Sequence, residues 1–361
     1  MVVISPLMQK ISQNIKNYNR SSLYIFHQRL AMQKFTTSYF TMTEEDVIEY
    51  AKYKKFFNKE DTLVCKEIGD GNLNYIFRVE SKNEDKSIII KQAGPVARIS
   101  EEFKLSTDRN RIESEILKLH NKLVPGLVPE VYDYDNIMNC CTMEDLSDYS
   151  NMRTALTEHK KFPLFADHIS TFLVKTLLLT SDIVMNHKEK KDLVKKFINP
   201  ELCEISEDLV FTEIFYNYPR NIITKGMENF IEDNIWNDNP LLLESAKLKF
   251  YFLTNAQSLI HGDLHTGSIF IKEDSTKIFD PEFAFFGPAG YDIGNVIANL
   301  IIAVANAKFV INEPNKREDY LEFLNSTIKN VIDSFRKNLF LNIIGLLQNI
   351  LPNILDLRNT I

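Results

Sequence analysis

Near residue 150 the hydrophobic pattern of this chain changes period, and that single switch restricts the folds open to it. Before it, "LVCKEIGDGNLNYIFRVES" and "KSIIIKQA" are β-rich runs split by Gly-Asp-Gly, the pattern of neighbouring strands. One helix interrupts them: in "TDRNRIESEILKLHNKL" the residues Ile112, Ile116, Leu119 and Leu123 fall on one face. An acidic helix opens the region at "TMTEEDVIEYAKYKKFF", where Thr43 and Asp46 stand three apart as an N-terminal cap. After it, long amphipathic patterns such as "LFADHISTFLVKTLLLTSDIV" and "ENFIEDNIWNDNPLLLESAKLKFYFLTNAQSLI" dominate. With 361 residues and no internal repeat, the expectation is a small sheet-rich part over 43–146 followed by a larger helical part over 147–361.

Composition narrows the function classes. The formal net charge of −7 argues against a broad nucleic-acid-binding face. Four cysteines without CxxC spacing suit a reducing compartment and free, buried thiols, so a cytoplasmic location is expected. No unbroken apolar run of ~18 residues occurs, so no membrane partner is expected. Residues 1–42 differ from the rest. Their first forty contain no acid and carry Lys10, Lys16, Arg20, Arg29 and Lys34, the composition of an organellar targeting segment. A disordered tail, or a start at Met32 or Met42, fits the same composition.

Glycine use locates the unusual backbone. Five of the 11 glycines lie between 262 and 294, and two more make the "GDG" at 69–71. Downstream of that turn Lys91 ends the apolar run "SIIIK", where an ammonium is costly to bury unless it meets an anion. Glu113 on the next helix is a partner for it, with Glu115 a near-equal alternative. A turn, a strand lysine and a helix glutamate in this order are the nucleotide-handling parts of a kinase.

The segment "HGDLHTGS" then places Asp263 after His-Gly, with Ser268 five positions on. The frame matches the kinase catalytic loop, whose Asp accepts the proton of the acceptor hydroxyl. Seventeen residues later "DPE" sets Asp280 and Glu282 around Pro281, after the short β run "KIF". Two nearby carboxylates can share Mg²⁺ with phosphate oxygens, and Ser268 stands where kinases carry a metal-binding Asn. His261 and His265 are read as braces of the loop. Carboxylates dominate and no cysteine is near, which disfavours zinc.

These strings, together with "EIGDGNLNYIF", "RIESE", "MEDLSD" and "DPEFAFFGP", resemble the methylthioribose kinase family over about 43–338. The resemblance implies an α+β, protein-kinase-like bilobal fold with a β-rich N-lobe and a helical C-lobe. It further implies ATP-dependent phosphorylation of 5-methylthioribose in methionine salvage, with Mg²⁺ and often as a homodimer. It places Asn74, Lys91, Glu113, Pro281 and the hinge residues Glu144, Asp145 and Leu146 at ATP. Asp263 becomes base and sugar ligand, and Asp280 with Glu282 the metal ligands. Three departures stand out. The first forty residues have no counterpart in the family. Phe103 occupies the region where the family carries a Trp. No Arg-Arg pair follows in the late helix, where only Arg317, Arg336 and Arg358 occur. A same-fold kinase of another small alcohol, or a nucleotide-binding protein with an incomplete acceptor site, therefore stand as alternatives.

Overall fold

A computed structural model describes residues 34–68, 74–94, 96, 97, 100–104 and 106–350. By residue contacts the chain divides into two compact units, 1–111 with 132–145, and 112–131 with 146–361.

The first unit is built on a five-stranded sheet of order β1-β2-β3-β7-β6. Its strands are β1 (Leu63–Glu67), β2 (Asn74–Ser81), β3 (Ser87–Ala93), β6 (Val131–Asp135) and β7 (Cys140–Glu144). The pairings from β1 through β7 are antiparallel, and the register sets Lys91 opposite Ile76 on one side and Cys141 on the other. A separate ladder joins β4 (Val96–Ala97) to β5 (Ser100–Lys104), the strand that contains Phe103. Helix α1 (Glu44–Tyr53) starts at a capping box in which Thr43 and Asp46 satisfy each other's backbone N–H groups.

Val47, Tyr50 and Ala51 of α1 pack on Phe77, Val79, Ile88 and Ile90 of the sheet. Phe35 and Met42 are buried in the same core. The folded region therefore starts before residue 43: aromatic Phe35 docks against Tyr50 and Tyr53, so 34–42 belong to the first unit and not to a detached extension. The targeting reading of the preceding residues, 1–33, lies outside the described residues.

In the second unit, α4 (Phe165–Leu179) is apolar around most of its circumference and buried accordingly. It packs along the long α9 (Pro314–Ile350). Around these lie α2 (Arg109–Leu123, from Ile112 on), α3 (Met152–Thr157), α5 (His187–Lys196), α6 (Pro200–Leu209), α7 (Asn239–Thr254) and α8 (Gly290–Val310). Among the described residues α8 alone is long and apolar enough to cross a membrane by length and composition. Asp292, Asn295 and Asn299 punctuate this helix, so no unbroken apolar run marks it in the sequence.

Two small sheets position the loops of interest. Strand β9 (Ser258–Ile260) pairs antiparallel with β12 (Phe285–Gly287), and β10 (Ile269–Ile271) lies between β11 (Thr276–Ile278) and β8 (Ser150–Asn151). The connections 261–268 and 279–284 thus run side by side. Phe279 N–H donates to Ser268 O at 3.1 Å, and the His261 ring bonds Phe279 O at 3.0 Å.

Candidate active site

In the first unit Lys91 is 5% exposed near the end of β3, and its carbonyl accepts a hydrogen bond from Asn110 Nδ2 at 2.7 Å. The amide of Asn110 also reaches Asn139 O at 2.9 Å, so this one side chain locks the strand that carries the lysine. Asn74, buried at the start of β2, accepts from Arg109 Nε at 3.1 Å. The Gly-Asp-Gly turn before it, at 69–71, lies outside the described residues. Glu144 closes β7. The carboxylate of Asp145 receives the Arg78 guanidinium at 2.6 Å, a pairing that raises the arginine's pKa further. That carboxylate is thus a strut of the sheet, and Leu146 is buried where the chain re-enters the second unit.

In the second unit the segment 261–263 turns sharply. Gly262 has φ +82°, and a Cβ there would fall 2.7 Å from the carbonyl carbon of Phe283. Only glycine fits both conditions. Asp280, in the opposing loop, also has a positive φ of +66°, a conformation that Asp tolerates better than most residues. Beneath the turn Asp292 accepts from the backbone N–H of His261 at 2.7 Å and of Gly262 at 3.1 Å. It is buried in the first turn of α8, and desolvation pushes its pKa above the usual carboxylate range. The His261 ring accepts from Asp263 N–H at Nδ1 and donates from Nε2 to Phe279 O, the geometry of a brace. Thr266 is tied to Asn299 through both its N–H and its hydroxyl.

On this frame the Asp263 side chain is 43% exposed, with Oδ2 3.4 Å from His265 Nε2. Buried Ser268 lies 3.3 Å from His265 Nδ1 through its hydroxyl. The other carboxylates behave differently. Glu113, Asp280 and Glu282 each bring an oxygen within 4.8 Å of the other two, with Glu113 and Glu282 buried. Asn199 holds the Glu282 segment by donating to Glu282 O and Ala284 O at 2.8 and 3.2 Å. Glu115, the alternative to Glu113, pairs with Lys196 at 3.2 Å. The structure therefore separates the two glutamates of "IESE". An all-oxygen, multiply anionic set of this kind fits a hard divalent cation such as Mg²⁺.

Four residues of this site were not singled out from the sequence. Asp292, Asn199 and Asn151 act on backbone groups far from them in the chain, with no local pattern to mark them. Arg153, whose guanidinium lies 3.2 Å from His265 Nδ1, stands in "SNMR", which carries no motif. Of the late arginines, Arg317 donates to Ile311 O, Arg336 is exposed, and Arg358 lies outside the described residues.

Comparisons with known proteins agree with this geometry. The model of the phosphotransferase enzyme family (APH) matches residues 233–314, which contain both loops. The methylthioribose kinase of Geobacillus sp. (strain WCH70) is 48% identical over 267 residues, 74% of this chain and 66% of that protein. That of Bacillus cereus (strain AH187) is 42% identical over 300 residues, 83% of this chain and 74% of the relative. The chain thus spans about two thirds to three quarters of these relatives' lengths. Among solved structures, Plasmodium vivax ethanolamine kinase superposes with a TM-score of 0.45 at 17% identity, over 85% of this chain and 84% of that one. The antiparallel sheet of the first unit and the helices of the second are the α+β class that the sequence pattern implied. With identity of this level over most of its length, the chain belongs to the methylthioribose kinase family.

Proposed function

We propose that this chain transfers the γ-phosphoryl group of ATP to the anomeric hydroxyl of 5-methylthioribose, giving 5-methylthioribose 1-phosphate, a reaction of methionine salvage. One observation carries the reading: the site holds two kinds of carboxylate, a part-exposed Asp263 and a closely spaced set of Glu113, Asp280 and Glu282. Asp263 orients the acceptor hydroxyl and takes its proton as the oxygen attacks phosphorus and the bond to ADP breaks. Lys91 serves the α- and β-phosphates, with Asn74 beside the glycine turn. Glu144, Asp145 and Leu146 flank the adenine, and Pro281 fixes the spacing of its two acidic neighbours.

Asp280 and Glu282, with Glu113 and the Ser268 hydroxyl, would hold Mg²⁺. When bound, that ion offsets charge on the phosphoryl oxygens. The reading includes a homodimer in the cytoplasm, with neither nucleic acid nor membrane as partner.

The test is ADP release from Mg·ATP with methylthioribose, set beside choline, ribose and an aminoglycoside. Turnover with methylthioribose alone is expected. Turnover with another alcohol in its place would favour the same-fold alternative, for which the placement of Arg317 and Arg336 is the motive. ATP binding without turnover on any of them would favour an incomplete acceptor site.

A further inference from the structure

We propose that Arg153 is a positioning residue that fixes the tautomer of His265 and, through it, the direction of the Asp263 carboxylate; this rests on the reading of Asp263 as the base. Helix α3 starts against the catalytic loop. Asn151 caps it, accepting from Arg153 N–H at 3.1 Å, and donates from Nδ2 to Gly267 O at 2.8 Å. This sets the Arg153 guanidinium 3.2 Å from His265 Nδ1. A guanidinium has donors only and keeps its protons at any pH the protein meets. Nδ1 must therefore accept, and the neutral ring carries its proton on Nε2. The Ser268 hydroxyl, 3.3 Å from the same Nδ1, is a second donor to it. Nε2, which then carries the proton, lies 3.4 Å from Asp263 Oδ2.

The chemistry explains why an imidazole stands between the two charges. A cation in direct contact with a carboxylate base holds its charge and weakens it as a base. A neutral N–H orients the same carboxylate without doing so. Gly267 supplies the room: a Cβ there would lie 2.6 Å from His265 Cε1 and 2.8 Å from Arg153 Nη2. These are side-chain ends, so Gly267→Ala should fold while pushing the pair apart.

The experiment has two arms on the full chain. Nitrogen-15 NMR of the imidazoles reads the tautomer directly: His265 is expected as Nε2–H in the wild type, and that signature is expected to be lost in Arg153→Met and Gly267→Ala. Steady-state kinetics with Mg·ATP and methylthioribose form the second arm. Arg153→Met is expected to lower kcat on the order of 10-fold with the KM for ATP unchanged. Arg153→Lys should restore part of the loss, and Arg153→Met combined with His265→Phe should be no worse than His265→Phe alone. An Nδ1–H tautomer in the wild type, or additive losses in the combined variant, would overturn the proposal. An effect of Arg153→Met confined to the KM for the sugar would overturn it too, making Arg153 a direct substrate contact. A wild type without turnover on methylthioribose but with His265 as Nε2–H would instead sink the functional reading and leave the Arg153–His265 arrangement standing.

Discussion

At the level of single residues, the site depends on two adjacent positions for different reasons. On the proposed reading, Asp263 is needed for its carboxylate. Asp263→Asn preserves shape and removes basicity, so kcat should fall by roughly 10²–10⁴ while ATP affinity stays near the wild-type value. Nucleotide binding measured by calorimetry beside kcat checks this; a collapse of ATP affinity would move Asp263 to the nucleotide side. Gly262 is needed for its lack of a side chain. In Gly262→Ala the new methyl meets main chain at Phe283, which cannot rotate away, and the left-handed conformation itself costs about 1 kcal/mol. A lower melting temperature together with lost activity is expected, in contrast to Asp263→Asn, which should melt as the wild type does. Both residues were legible in "HGD" as a motif. The positive φ of Asp280 was not, because "DPE" records a ligand pattern and says nothing of the backbone angle that aims it.

Elements carry the catalytic loop from beneath, and here the sequence was less informative. The first turn of α8 is the anchor, since Asp292 satisfies two buried N–H groups of the loop, 30 and 31 residues away. Asp292→Ala would leave both donors without an acceptor, at roughly 1–3 kcal/mol for each. Urea denaturation should show that loss, and kcat should fall with it as Asp263 moves. Asp292→Asn keeps an acceptor oxygen and should lie between the two. No periodicity marks such a residue, because its partners are main-chain atoms brought near only by the β9–β12 pairing. The charge run "HKEKKDLVKKF" gives a similar lesson. This stretch forms α5 and is mostly solvated, but Lys190 is buried, donating to Ala256 O and Gln257 O at 2.6 and 2.8 Å. A lysine inside a charged stretch looks the same in sequence whether its ammonium meets water or backbone carbonyls. Strands β2 and β3 and helix α2 were legible because local pattern and burial agree in them.

Across the molecule, the change of period near residue 150 foretold a sheet-rich unit and a helical one. It did not foretell that 112–131 would join the helical unit, since that depends on which core Ile112 and Ile116 enter: they pack with Phe197, Leu259 and Phe286. In the same unit His120 points to a global property, the acid limit of stability. Its ring is buried against Phe172, and neither nitrogen has a hydrogen-bond partner among the described residues. Burial lowers its pKa from 6.5 to about 3, with the nearby His261 adding to the effect. The unfolded chain therefore binds a proton that the folded chain refuses between those two values. Stability is full above the unfolded pKa of 6.5 and declines as pH falls toward about 3, by at most ~1.4 kcal/mol per pH unit from this group. His120→Leu removes the titrating ring and two unsatisfied polar atoms at little change in volume. The variant should melt higher than the wild type at pH 5, with the gap narrowing at pH 7.5, values chosen roughly to fall on either side of the unfolded pKa. Equal gaps at the two pH values would show that the imidazole finds a proton partner in solution and does not set the acid limb.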